Sequence, residues 1–183
     1  EIKFYANKDD LIKGFAVNDF SSFGMYSADN ENIGEKKRGY TNNIVNIPQY
    51  VAVFFNTKKT SVLNDVSVRQ ALAYSLDKNE INKVATKSAG RIIDSPILPG
   101  YLGYNSEIKK YSLDTKGASS ILSQGGWSDQ NNDGVKEKDG KNLEFEIVTL
   151  DEPQFVRIAE SISKQWAKID KENRANICIK TLD

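Results

Sequence analysis

Asp129, Asn131 and Asp133, followed by Gly134, occupy the first, third, fifth and sixth places of an EF-hand-type calcium loop. Oxygen-bearing side chains at every second residue can curl around a hard cation, and the glycine permits the sharp turn. The twelfth place, which supplies a bidentate Glu in such loops, falls on Gly140. A strand-like alternation follows where an EF-hand needs a helix, so the segment reads as an Asx-rich turn and no metal is expected. Asp151 and Glu152 are adjacent carboxylates, but directly before Pro153 they suit a helix start better than an acid/base pair. Gly100-Tyr101-Leu102-Gly103 has neither the spacing of a phosphate-binding glycine loop nor its Lys-Ser/Thr. The chain holds no histidine, which removes the usual general base, the commonest zinc ligand and the Ser-His and Cys-His nucleophile pairs. Its one cysteine, Cys178, stands in the alternation Ile177-Cys178-Ile179 and reads as a buried strand thiol. The chain is expected to be no enzyme and to need no cofactor.

The elements that position these residues must come from 183 residues, enough for one well-buried domain. Apolar residues make up 39% and charged residues 27%, an ordinary globular profile. With formal net charge +0, no broad field gathers nucleic acid or an anionic membrane. The densest basic cluster, Lys36-Lys37-Arg38 after Glu35, reads as a solvated turn. No apolar run is long enough to span a bilayer. The chain opens Glu1-Ile2-Lys3-Phe4 in strand-like alternation without an initiating Met, and is read as an excised piece of a longer protein. The missing signal peptide therefore carries no weight.

Strand and helix patterns alternate along it. Ile2 and Phe4 suggest a short strand, and Asn7 caps a helix whose inner face is Leu11, Ile12, Phe15 and Ala16. Residues 29–46 read as a loop. Tyr50-Val51-Ala52-Val53-Phe54-Phe55 suits a central strand covered on both faces, ending at Asn56. Asn64-Asp65 can cap a helix carrying Val68, Ala71, Leu72 and Leu76. Asp77 and Glu80 have capping-box spacing, with Leu76 and Ile81 as a hydrophobic staple. Residues 90–104 read as an ordered, non-helical loop. A helix from about Leu113 should bury Ala118, Ile121 and Leu122 and close at Gly125 or Gly126. Residues 128–142 form a polar loop. Leu143, Phe145, Ile147 and Thr149 mark a strand, and Phe155, Ile158, Ala159, Ile162, Trp166 and Ile169 the clearest amphipathic helix. A final strand lies near Asn176 to Lys180. The whole predicts an α/β fold with a mainly parallel sheet and flanking helices, residues 1–183 forming a single lobe.

Four segments, taken in order, resemble the peptide/nickel (oligopeptide/dipeptide-binding) family of extracellular solute-binding proteins. They are Tyr50 to Asn56; Asp65-Val66-Ser67-Val68-Arg69-Gln70-Ala71-Leu72 with Asp77-Lys78 after it; Ser95-Pro96-Ile97-Leu98-Pro99-Gly100; and Ala118 … Ile121-Leu122 … Gly126-Trp127 with Asp129 to Gly134 and Asp139-Gly140-Lys141. Two departures stand out: Gly125 where the family usually has Ala, and Asn18-Asp19-Phe20-Ser21 in place of its "G-x-I-D". The VRQAL helix and Trp127 read as scaffold.

The resemblance implies one lobe of a periplasmic-binding-protein type II fold, belonging to the solute-binding component of an ABC importer. The implied ligand is a peptide or other small solute, and the implied partner is the ABC permease of the same system. Localisation would be extracytoplasmic, in the periplasm or at the cell surface. Membrane attachment would run through a lipid anchor outside these residues. A sheet of this type meets ligands at the carboxyl ends of its strands. Phe54, Phe55 and Asn56, at the end of the aromatic run, are therefore ligand candidates, joined by Tyr101 and Tyr104 in the proline loop. The alternative is an adhesion, scaffold or sensor protein using the same fold without transport.

Overall fold

Asn7 opens the first helix as its sequence position requires: its side chain accepts the Asp10 amide, and Asp9 and Asp10 fill the first turn of α1 (Lys8–Ala16). The computed structural model describes residues 2–24, 38–41, 43, 47–169 and 177–182, and the chain divides into two units, Glu1–Ile47 and Pro48–Asp183. In the first unit Phe15 is buried among aromatic rings, with centroids 5.0 Å from Phe23 and 4.6 Å from Tyr40. Asn18 takes φ 61°, a left-handed conformation that Asn tolerates better than most residues, where the family pattern places a glycine. The short strand expected at Ile2 and Phe4 is absent, and both side chains face solvent, Phe4 at 93% exposure. Two alternating residues cannot hold a strand without a ladder partner. Most of the loop expected at 29–46, including Lys36 and Lys37, lies outside the described residues; Arg38 is exposed in a turn.

The second unit follows the sequence pattern more closely. Its elements are α2 (Ser61–Asn64), α3 (Val66–Tyr74), α4 (Lys78–Thr86), α5 (Thr115–Gln124), β1 (Glu137–Lys138), β2 (Lys141–Asn142), β3 (Phe145–Leu150), α6 (Pro153–Ala167) and β4 (Ile177–Leu182). β3 and β4 pair in parallel, Phe145 opposite Ile177 and Leu150 opposite Leu182, with α6 as the crossover packed on both strands. β3 alternates half-buried and exposed residues, so one face meets α6 and the other carries Glu146, Val148 and Leu150 to solvent. Asp139 and Gly140, both at positive φ, join β1 to β2 in a tight antiparallel hairpin inside the segment expected to be loop. The described sheets are thus one parallel pair and one antiparallel pair. Cys178 lies in β4, and its side chain is outside the described residues.

The core is built where helical spacing put it. Val68, Ala71 and Leu72 of α3, Ala118 and Leu122 of α5, and Ile158, Ile162 and Trp166 of α6 are buried together with Trp127, Leu143 and Ile169. Phe155, Ile121, Leu76 and Ile81 are partly buried against them. Gly125 allows α5 to end close to α3: a methyl group there would meet the Ser67 hydroxyl at 2.3 Å. That close approach accounts for glycine where the family usually has Ala.

One expected cap is completed differently. Asp77 accepts the Asn79 and Glu80 amides, but its own amide donates to Gln165 Oε1 of α6 at 2.6 Å, not to Glu80. The buried Gln165 also donates to Ser161. A residue far along the chain thus takes the place that local spacing assigned to Glu80. Gln165→Leu is expected to lower the unfolding free energy by about 1–2 kcal/mol, since a partly buried amide loses its acceptor. Urea unfolding at neutral pH measures it.

Candidate functional site

The run Tyr50 to Asn56 forms no strand, which corrects the expectation of a central, doubly covered one. Among the described residues β3 and β4 pair only with each other, and no ladder reaches this run. Without a ladder partner its backbone has no reason to adopt strand geometry, and its side chains stay uncovered. Tyr50, Val51 and Val53 are exposed, and Phe54 is 85% exposed. Phe55 turns inward and stacks on Trp166 at 6.3 Å between centroids. Asn56 accepts the Lys58 and Lys59 amides, holding a turn. Lys59 then pairs with Glu146 on the open face of β3, and the ammonium holds that carboxyl below its ordinary pKa. Phe55 packs on the core and Asn56 holds the turn that follows, while Phe54 projects into solvent.

The second pair sits on the loop after α4. Its start is fastened by Asn82, which donates to the Gly90 carbonyl at 3.0 Å, and by Thr86, which accepts the Gly90 amide at 2.7 Å. Lys78, the basic residue of the Asp77-Lys78 pair, reaches Asp94. The motif's cation thus anchors the proline loop to α4. Turns at Leu98–Tyr101 and Tyr101–Tyr104 follow, with Gly100 and Gly103 at positive φ. Tyr101 is 56% exposed; Tyr104 is less so and lines a cavity of about 60 Å³ with Ile92, Asp94, Ile97 and Lys110 among others. That volume falls well short of the roughly 300 Å³ at which small-molecule pockets begin. No ring contact or hydrogen bond joins Tyr101 or Tyr104 to Phe54, Phe55 or Asn56 among the described residues.

Sequence reasoning missed one organising residue. Asp65 is more than an N-cap: its carboxylate accepts the Ser67 amide and hydroxyl, Trp127 Nε1 at 3.1 Å and Lys138 Nζ at 2.8 Å. Burial opposes its ionisation, yet these four donors outweigh burial and hold the carboxyl well below the ordinary carboxylate range. It ties α3 to the corner after α5 and to the hairpin. Only the cap was legible, since Trp127 and Lys138 are remote in sequence. Among the described residues no helix is long and apolar enough to cross a membrane.

Residues 1–171 match the family model described as bacterial extracellular solute-binding proteins, family 5. The chain belongs to that family. The oligopeptide-binding protein AppA of Bacillus subtilis is 33% identical over 132 residues, which cover 70% of this chain and 24% of AppA. Heme-binding protein A of Haemophilus influenzae is 32% identical over 123 residues, 66% of this chain and 20% of that protein. The solved structure of AppA with a nonapeptide superposes at TM-score 0.61 and 27% identity, over 69% of this chain and 25% of AppA. That of NikZ from Campylobacter jejuni with Ni(L-His) superposes at TM-score 0.60 and 32% identity, over 69% of this chain and 24% of NikZ. This family 5 chain therefore spans no more than about a quarter of the relatives it matches. Its fold is theirs over the shared part. AppA and the Haemophilus influenzae protein are both named as binding proteins.

Proposed function

We propose that this chain is part of the solute-binding component of an ABC importer, capturing peptides or a similar small solute outside the membrane. It is not an enzyme, and its partner is the permease of the same system. The observation that carries this reading is the match over residues 1–171, with AppA, crystallised with a nonapeptide, among its structural neighbours. In this reading residues 1–183 contribute to one lobe, and β3–β4 belong to a mainly parallel sheet completed by further chain. The uncovered Tyr50–Phe54 run, with Val148 and Leu150 on the open face of β3, is where such strands would pack. The full-length protein works in the periplasm or at the cell surface, held there by a lipid anchor.

Phe54, Tyr101 and Tyr104 make the ligand contacts in this proposal, while Phe55 and Asn56 hold Phe54 in place. Flat, exposed aromatic faces suit peptide side chains and backbone without demanding one sequence. Mass spectrometry of solute co-purified with the full-length protein identifies the ligand class. Calorimetry should then give a dissociation constant of about 1 μM or tighter, with Phe54→Ala and Tyr101→Ala each weakening it about tenfold. The 183 residues alone are expected to bind only weakly, because a two-lobed site gains affinity by burying its ligand between lobes. Equal, tight binding by the 183 residues and by the full-length protein would overturn the lobe assignment. Absence of any bound solute would overturn the function.

A further inference from the structure

We infer that the loop 129–137, which leads into the hairpin, is a calcium site built on Asp129, Asp133 and Glu137. This reverses the expectation drawn from Gly140 at the twelfth position. The fold brings one carboxylate oxygen from each of the three acids to within 4.8 Å of the others. Oxygens that converge from three side chains in this way form the beginning of a coordination shell for a hard cation. The ninth loop position, Glu137, comes into the cluster because β1 turns the chain back on itself, the Glu137 amide donating to the Ser128 carbonyl at 2.8 Å. Position twelve is thereby made unnecessary.

Acidic clusters are common on surfaces, and a second observation separates this one. Asp129 Oδ1 is buried and has no hydrogen-bond partner, the one such side-chain atom among the described residues. Glu137 is only 8% exposed, and of its two oxygens Oε2 alone takes a donor, the Gln130 amide at 2.9 Å. A carboxylate oxygen withdrawn from water without a donor is costly, and a bound cation removes that cost. The other Asp129 oxygen is aligned by the Gly134 amide at 3.0 Å, so the orphaned one is held in place and not free to find water.

The donors decide the metal class. All are hard oxygens, and with no histidine in the chain nothing here favours zinc or another nitrogen- or sulfur-seeking ion. Calcium accepts the irregular geometry of a short loop and fills its remaining positions with backbone carbonyls and water, whereas magnesium demands a near-ideal octahedron. The site would lock the hairpin next to the Asp65–Lys138 pair. Few carboxylates in a short loop imply the weak affinities of extracellular modules, roughly 10⁻⁴–10⁻³ M.

Thermal unfolding of the 183-residue chain tests this. The midpoint should rise by about 3–10 °C in about 10 mM calcium chloride relative to EGTA, and markedly less in equal magnesium. Asp129→Asn and Glu137→Gln should abolish the rise while leaving the midpoint in EGTA nearly unchanged, since each amide keeps an oxygen for its backbone donor and removes only the charge. Asp139→Asn, in the hairpin turn outside the cluster, should keep it. Where a variant does not fold, terbium titration of the unmodified chain decides: emission sensitised by the nearby Trp127 should saturate and be displaced by calcium. Coincident melts in calcium and EGTA, an equal rise in magnesium, a rise surviving in both variants, or no displaceable terbium signal would each overturn the proposal.

Discussion

Replacing Trp166 with alanine is expected to lower the unfolding free energy by about 3–5 kcal/mol. Trp166 is 2% exposed and is the largest of the fully buried side chains among the described residues. Its ring packs with Phe55 at 6.3 Å and edge-on to Phe145 at 5.5 Å. Its Nε1 donates to the Leu72 carbonyl at 2.9 Å, near the end of α3, leaving that acceptor bare if the indole is removed. Three elements and the aromatic run meet on one side chain, so the cavity cannot close by moving any one of them. Trp166→Phe should restore most of the packing but not the hydrogen bond, and fall between the two. Urea unfolding of the three proteins measures the series. A loss under about 1 kcal/mol for the alanine variant would show that the ring is not central to the core.

The second large effect concerns Asp65. Asp65→Ala removes a helix cap, the ion pair with Lys138 and the acceptor for the buried Trp127 indole, and is expected to cost about 2–4 kcal/mol at neutral pH. Asp65→Asn keeps a capping oxygen and should lose less. The pH dependence follows from the direction of the pKa shift. The folded-state pKa lies below that of the unfolded chain, so the stabilisation is fully present above the unfolded value of about 3.9. It is lost as pH falls through that value towards the folded one. The stability gap between the native sequence and Asp65→Asn should therefore be constant from about pH 7 to pH 5 and narrow steadily below about pH 4. A gap that stays constant down to pH 2 would mean that the carboxylate's charge contributes nothing.

The loss of Asp65 need not remove the fold, because the core helices were written independently of it. Val68, Ala71 and Leu72, and likewise Ala118 with Leu122, repeat at the helical period, and any helix formed there must bury that stripe. The caps Asn7, Asp65 and Asp77, the stop at Gly126 and the alternation of β3 are equally local, each needing only residues within a turn or two. Family membership was legible for the same reason: its motifs are local segments in a fixed order.

What the tertiary structure alone decided depends on residues distant in the chain. Apolar composition suggested a strand at Tyr50–Phe55, but a strand exists only through a partner, and among the described residues none pairs with it. Glu80 has capping-box spacing, yet Gln165 holds the Asp77 amide because α6 packs beside α4. Phe55 and Asn56 follow Phe54 directly in sequence, yet packing stacks one on Trp166 and sets the other in a turn. The acidic loop shows this division most sharply. Its spacing set Asp129 and Asp133 on one turn, a local matter. Whether a third carboxylate would join them depended on where β1 folds back, and that brought Glu137, not the twelfth residue, to within 4.8 Å of both.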